Sequence, residues 1–149
     1  MIKVQLVDIT KVIPYDNNPR KNDEAVEEVA KSIQTFGFKN PIIVDKDFII
    51  IAGHTRLKAS QKLGLKEVPV IVAEDLTPDQ ANALRLADNK TNELAKWDKK
   101  LLDEELRKID WEALNIQMTD LGFNDIFASD FQEVIDDEFD EGQYLTDEP

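Results

Sequence analysis

The stretch Ile49-Ile50-Ile51-Ala52-Gly53-His54-Thr55-Arg56-Leu57-Lys58-Ala59 decides how the 149-residue chain is read. Its apolar start is too short for a helix and apolar on both faces, so it reads as a buried strand. That strand delivers Gly53 to the start of a helix. The open N–H groups and the dipole at such a junction attract an anion. Gly53 lets backbone approach a phosphate closely. Arg56 offers a planar fork for phosphate oxygens, and Thr55 and His54 add hydroxyl and imidazole donors. An ordinary strand–helix turn with solvated basic side chains is the plain alternative.

Working outward, Ile42-Ile43-Val44, a turn at Asp45-Lys46-Asp47 and Phe48–Ile51 predict a hairpin. Pro14-Tyr15-Asp16-Asn17-Asn18-Pro19-Arg20 predicts a loop. A helix follows, capped by Asn22, with Asp23 and Glu24 at its positive end. It carries the stripe Val26, Val29, Ala30 and Ile33 and stops at Gly37. At the front, Ile2, Val4 and Leu6 alternate with Lys3 and Gln5 and predict a strand with that apolar trio inward. The helix opened by Gly53 should end at Gly64. Val68–Val72 predicts a strand, and its Pro69 suggests an edge or a strand start. Thr77, Pro78 and Gln80 form a helix start with a capping box, and that helix should reach about Leu94. Asp98 caps a further helix carrying Leu101, Leu102, Leu106 and Ile109. Trp97 and Trp111 read as core. Short strands and helices in mixed order predict an α+β fold with a small mixed sheet and flanking helices.

The net charge of −13 divides unevenly. Residues 1–100 hold 16 basic and 15 acidic residues, a net of +1, whereas 101–149 hold 2 and 16, a net of −14. A charge-balanced domain over 1–96 is therefore expected, then a helical extension over 97–129 and an acidic, mobile linker or tail over 130–149. From Leu101 to Phe127 the only basic residues are Arg107 and Lys108, so this extension is a poor reader of DNA by itself. The chain has no cysteine and one histidine, which removes disulfides, Cys-ligated metals, thiol nucleophiles and a poly-His site. No apolar run approaches the roughly 18 residues of a membrane span, and no leader pattern is visible, so a cytoplasmic location is expected.

Two more clusters carry chemistry. In Arg85-Leu86-Ala87-Asp88-Asn89-Lys90-Thr91-Asn92-Glu93, Asp88 shares a helix face with Asn92, and Asn89 with Glu93. Such oxygen donors suit magnesium held jointly with phosphates; a solvated polar face is the alternative. In Asn17-Asn18-Pro19-Arg20 the proline fixes the backbone just before Arg20 and can aim it into a pocket; an exposed loop is the alternative.

These segments, in this order, resemble the ParB/sulfiredoxin superfamily from about Val4 to Leu94. The resemblance rests on Asn18-Pro19-Arg20, the helix ending near Phe36-Gly37, Lys39-Asn40-Pro41-Ile42-Ile43-Val44, Gly53-x-x-Arg56, Val68-Pro69-Val70 and Asp88-Asn89. In chromosome-partitioning ParB proteins the turn reads G-E-R-R and the later helix E-N-x-x-R. That family binds CTP, with the turn on the phosphates and the acid–amide pair on magnesium. The resemblance thus implies a nucleoside triphosphate, CTP among the options, held by Arg20, Gly53, His54, Thr55 and Arg56, with Mg2+ on Asp88 and Asn89. His54 and Thr55 replace the Glu and first Arg of the family turn, and Asn92 replaces the later Arg. Sulfiredoxin chemistry needs a cysteine and is excluded. The Gly-His-Thr-Arg form is similar to a branch found in phages and mobile elements, often in front of a DNA methyltransferase. The resemblance therefore implies a nucleotide-binding module in DNA modification or segregation, with DNA met through an associated protein and a homodimer left open. Two alternatives stand beside it: a metal-dependent enzyme of this fold (nuclease, NTP hydrolase or kinase), and an interaction domain without ligand.

Overall fold

The computed structural model describes residues 2–18 and 25–123. The chain divides into two compact units, Met1–Lys96 and Trp97–Pro149.

The first unit is built on a four-stranded sheet. Its strands are β1 (Gln5–Asp8), β2 (Ile42–Asp45), β3 (Ile50–Ala52) and β4 (Glu67–Ala73), in spatial order β1-β4-β2-β3. β4 runs antiparallel to β1 and parallel to β2, and β2 and β3 form the antiparallel hairpin. Three helices flank the sheet: α1 (Val26–Phe36), α2 (His54–Leu63) and α3 (Pro78–Leu94). α1 packs on α2, and α3 packs on β3. Ile42, Val44, Ile50, Val68 and Val70 are fully buried, and Leu57 of α2 closes over them. This is the mixed α+β architecture that the order of apolar runs predicts.

Local signals act where expected. Thr77 caps α3 by accepting from the Gln80 N–H while the Gln80 side chain accepts from the Thr77 N–H. Gly37 and Gly64 end α1 and α2 at positive φ. Asn22, Asp23 and Glu24 lie outside the described residues, as does everything expected of the acidic segment 130–149.

The first strand is out of phase with its reading. Ile2, Val4 and Leu6 are 78%, 57% and 66% exposed, and Val7 faces the core. Alternation defines two faces; the pairing of Val7 with Val68 selects which one is buried. Phe48 is in the turn rather than in β3: its N–H donates to the Asp45 carbonyl and its φ is 65°. β4 is an interior strand despite Pro69. Pro69 lies opposite Leu6, and pairing with β2 begins only at Val70, so no ladder bond is lost there.

In the second unit, α4 (Lys99–Lys108) is capped by Asp98, whose carboxylate accepts from the Leu101 N–H. Leu102 and Leu106 are buried, while Leu101 and Ile109 are exposed. α5 (Trp111–Leu114) follows, then a 3-10 turn at Met118–Leu121. Trp97 is 59% exposed rather than core and meets Phe123 edge-on at 5.8 Å. Trp111 is half-buried, and its indole N–H donates to the Leu106 carbonyl.

Candidate functional site

β3 ends at Ala52, and Gly53 turns the chain into α2 with φ 118° and ψ 23°. Having no side chain, Gly53 leaves the first amides of α2 uncapped. The turn opens onto a cavity of about 630 Å³. Gly53, His54, Thr55 and Arg56 form one side of it, and Asp88, Asn89 and Asn92 of α3 also line it. Glu93 does not line it; its carboxylate lies 3.6 Å from the Lys90 ammonium. Asn18 reaches the wall from the loop after β1, whereas Pro19 and Arg20 lie outside the described residues. The remaining wall includes Val29, Ser32, Ile33 and Phe36 of α1, then Phe38, Lys39 and Asn40. One part is therefore apolar and aromatic, and another is rich in amides and cations.

The charges are unequal. Lys39 and Arg56 face a single carboxylate, Asp88, among the described lining residues; Arg85 also lines the cavity, but its charge is paired with Asp45. Arg56 is half-buried and donates through Nη1 to the Pro41 carbonyl at 2.9 Å. Burial pulls its pKa down, and the nearby Asp88 carboxylate opposes that shift. The two are thus close enough to feel each other's charge, and Arg56 stays protonated at neutral pH. No group of three or more His, Asp or Glu side chains suited to a metal occurs among the described residues. Any cation at Asp88 and Asn89 would need further oxygens, from water or a ligand, to complete its shell.

The model of the ParB N-terminal domain matches residues 1–90. The chain belongs to this family. Among its relatives, the probable chromosome-partitioning protein ParB of Rickettsia conorii is 40% identical over 88 residues, 58% of this chain and 30% of that protein. The ParB-like nuclease domain-containing protein YnaK of Escherichia coli is 38% identical over 80 residues, 53% of this chain and 92% of that protein. The chain thus matches less than a third of the length of the partitioning relative and nearly all of the shorter one. A C-terminally truncated ParB from Caulobacter crescentus, solved with CTP-gamma-S, superposes with a TM-score of 0.59 at 22% identity, covering 80% of this chain and 74% of that one. At that identity the likeness shows the ParB fold.

Within this ParB N-terminal domain, His54 lines the cavity as a half-buried ring and has a partner that its sequence reading does not include. Its Nε2 accepts the Tyr15 N–H at 3.0 Å, which puts the proton of the neutral ring on Nδ1. Burial lowers its pKa from the ordinary value of 6.5, and the positive charges of Lys58 and Arg85 lower it further. Protonation would also break the bond from Tyr15. The unfolded chain therefore binds this proton more readily than the folded one. Stability from the neutral ring is complete above the unfolded pKa near 6.5 and declines as pH falls through it towards the lower folded value. We expect the melting temperature to drop between pH 7.5 and 5.5, and His54→Gln to flatten most of that slope. A parent protein whose melting temperature is unchanged over this range contradicts the assignment.

The residue that sequence reading passed over is Arg85. It stands in the cluster Arg85–Glu93, but the reading of that cluster gives it no role. Its side chain is 7% exposed and makes three hydrogen bonds. The available signal was spacing: Ala81, Arg85, Asp88 and Asn92 share one helix face, and Ala81 is buried.

Proposed function

We propose that this ParB N-terminal domain binds a nucleoside triphosphate together with Mg2+ in the 630 Å³ cavity. The observation that carries the reading is the charge balance of that cavity: Lys39, Arg56 and the uncapped start of α2 against one carboxylate, Asp88, with the Arg85 charge already paired to Asp45. Such a wall suits a polyphosphate. The amides of the Gly53 turn and the Arg56 fork take phosphate oxygens. Arg20, two residues beyond Asn18, belongs to the same proposed set. Asp88 and Asn89 hold the magnesium that the phosphates share, and the ion neutralises phosphate charge there. This fits a wall with too few carboxylates to bind a metal unaided. Phe36 and Phe38 give the base and sugar an apolar side to rest on.

CTP is the first nucleotide to test, because the Caulobacter crescentus protein of the same fold was solved with CTP-gamma-S. A role in DNA segregation draws on the partitioning relatives. The finer reading, a module beside a DNA methyltransferase, rests on the Gly53-His54-Thr55-Arg56 form of the turn. Calorimetric titration with CTP, ATP, GTP and S-adenosylmethionine, each with Mg2+, tests the proposal; no binding by any nucleotide leaves the interaction-domain reading in its place. In the same titrations Asp88→Ala should cost about tenfold in affinity with Mg2+ and little with EDTA, because its contribution runs through the ion. An equal loss under both conditions would place Asp88 on the nucleotide itself.

A further inference from the structure

We propose that Arg85 is a positioning residue that holds the Gly53 turn, the Asp88–Asn89 pair and the Pro14–Asn18 loop in one arrangement around the cavity. Its link to ligand binding rests on the nucleotide reading above. Each of its contacts lies on a different part of the fold. Nε donates to the Ile50 carbonyl of β3 at 2.8 Å. Nη2 donates to Asp45 Oδ2 at 3.1 Å, at the end of β2. Nη1 donates to Asn82 Oδ1 on its own helix at 2.7 Å. The guanidinium stacks on the Tyr15 ring, 4.1 Å from its centroid.

Asp45 is itself fixed, since its Oδ1 accepts the N–H groups of Asp47 and Ile49 in the hairpin turn. Arg85 thus ties α3 to a rigid point of the sheet. Gly53 follows three residues after Ile50, and Asp88 and Asn89 lie about one helical turn after Arg85. Both sides of the site are measured from that point. Tyr15 extends the tie to the loop: its N–H donates to His54 Nε2, and its carbonyl accepts the Asn18 N–H. A buried guanidinium is costly unless paired, and here all three of its nitrogens are engaged. A lysine keeps the charge but cannot serve three acceptors in one plane and stack on a ring.

His54 is the only histidine in the chain, so its ring nitrogens are a unique NMR reporter of Tyr15 and the loop. The experiment compares the full chain with Arg85→Lys and Tyr15→Leu. It records the His54 tautomer at pH 7.5, the thermal melt, and calorimetric binding of CTP, ATP and GTP with Mg2+. We expect Arg85→Lys to melt cooperatively, to shift the His54 ring from the Nδ1–H form to a tautomer mixture, and to bind about tenfold or more weakly. Tyr15→Leu, which keeps every Arg85 hydrogen bond, should shift the tautomer with a smaller loss of affinity; it also decides the matter if Arg85→Lys does not fold. An unchanged tautomer and unchanged affinity overturn the proposal. So does lost affinity with an unchanged tautomer, which would make Arg85 a direct ligand contact. A parent that binds no nucleotide, with the tautomer shifted in both variants, sinks the nucleotide reading and leaves the positioning role standing.

Discussion

Arg56→Ala is expected to weaken nucleotide binding roughly ten- to a hundred-fold, the equivalent of about 1.5–3 kcal/mol for a charge-assisted contact. Two features of the structure make the effect large. The Nη1–Pro41 hydrogen bond holds the guanidinium in place before a ligand arrives, so little side-chain entropy is lost on binding. Partial burial also strengthens an interaction with phosphate oxygens relative to one in open water. Asp88 already interacts with Arg56 electrostatically, so the two truncations should not add. Titration of the single variants and of the double variant in the presence of Mg2+ checks both statements. Arg56→Ala binding as tightly as the parent would remove the phosphate assignment from the turn.

Gly53→Ala should destabilise the fold by about 1–3 kcal/mol and displace the turn that faces the cavity. A residue with a Cβ is strained at φ 118° whatever surrounds it. Here the added atom would also lie 3.2–3.3 Å from the Ile42 side chain and Cα. Ile42 is fully buried in β2, so it has no room to retreat. Gly64→Ala is the internal control. Gly64 has φ 75° and open space around its missing Cβ, so only the backbone term of about 1 kcal/mol applies. Denaturant unfolding of both variants separates the contact from the conformation. Equal destabilisation of the two would mean that Ile42 does not constrain the turn.

What was legible in the chain was what short-range physics controls. The capping box at Thr77 and Gln80, the glycine ends of α1 and α2, and the strand–Gly–helix passage at Ile51–Arg56 all depend on residues within five positions of one another. They announce themselves in any window of sequence. The grouping of Gly53–Arg56 with Asp88 and Asn89 was legible through the spacing of a family pattern, and the cavity brings those residues together.

Features decided by partners far along the chain were not legible. Alternation in Ile2–Leu6 marks two faces equally well, and only the pairing of β1 with β4, more than sixty residues on, turns Val7 inward. His54 read as a donor because a helix start favours one. The Tyr15 N–H, thirty-nine residues earlier in the chain, makes its Nε2 an acceptor and leaves Nδ1–H as the donor of the neutral ring. Arg85 stands in a cluster whose sequence reading gives it no role. It is buried because Asp45, forty residues away, and the Tyr15 ring converge on it. A charge leaves water only where a counter-charge and hydrogen-bond acceptors replace its hydration, and those replacements are assembled by the tertiary fold.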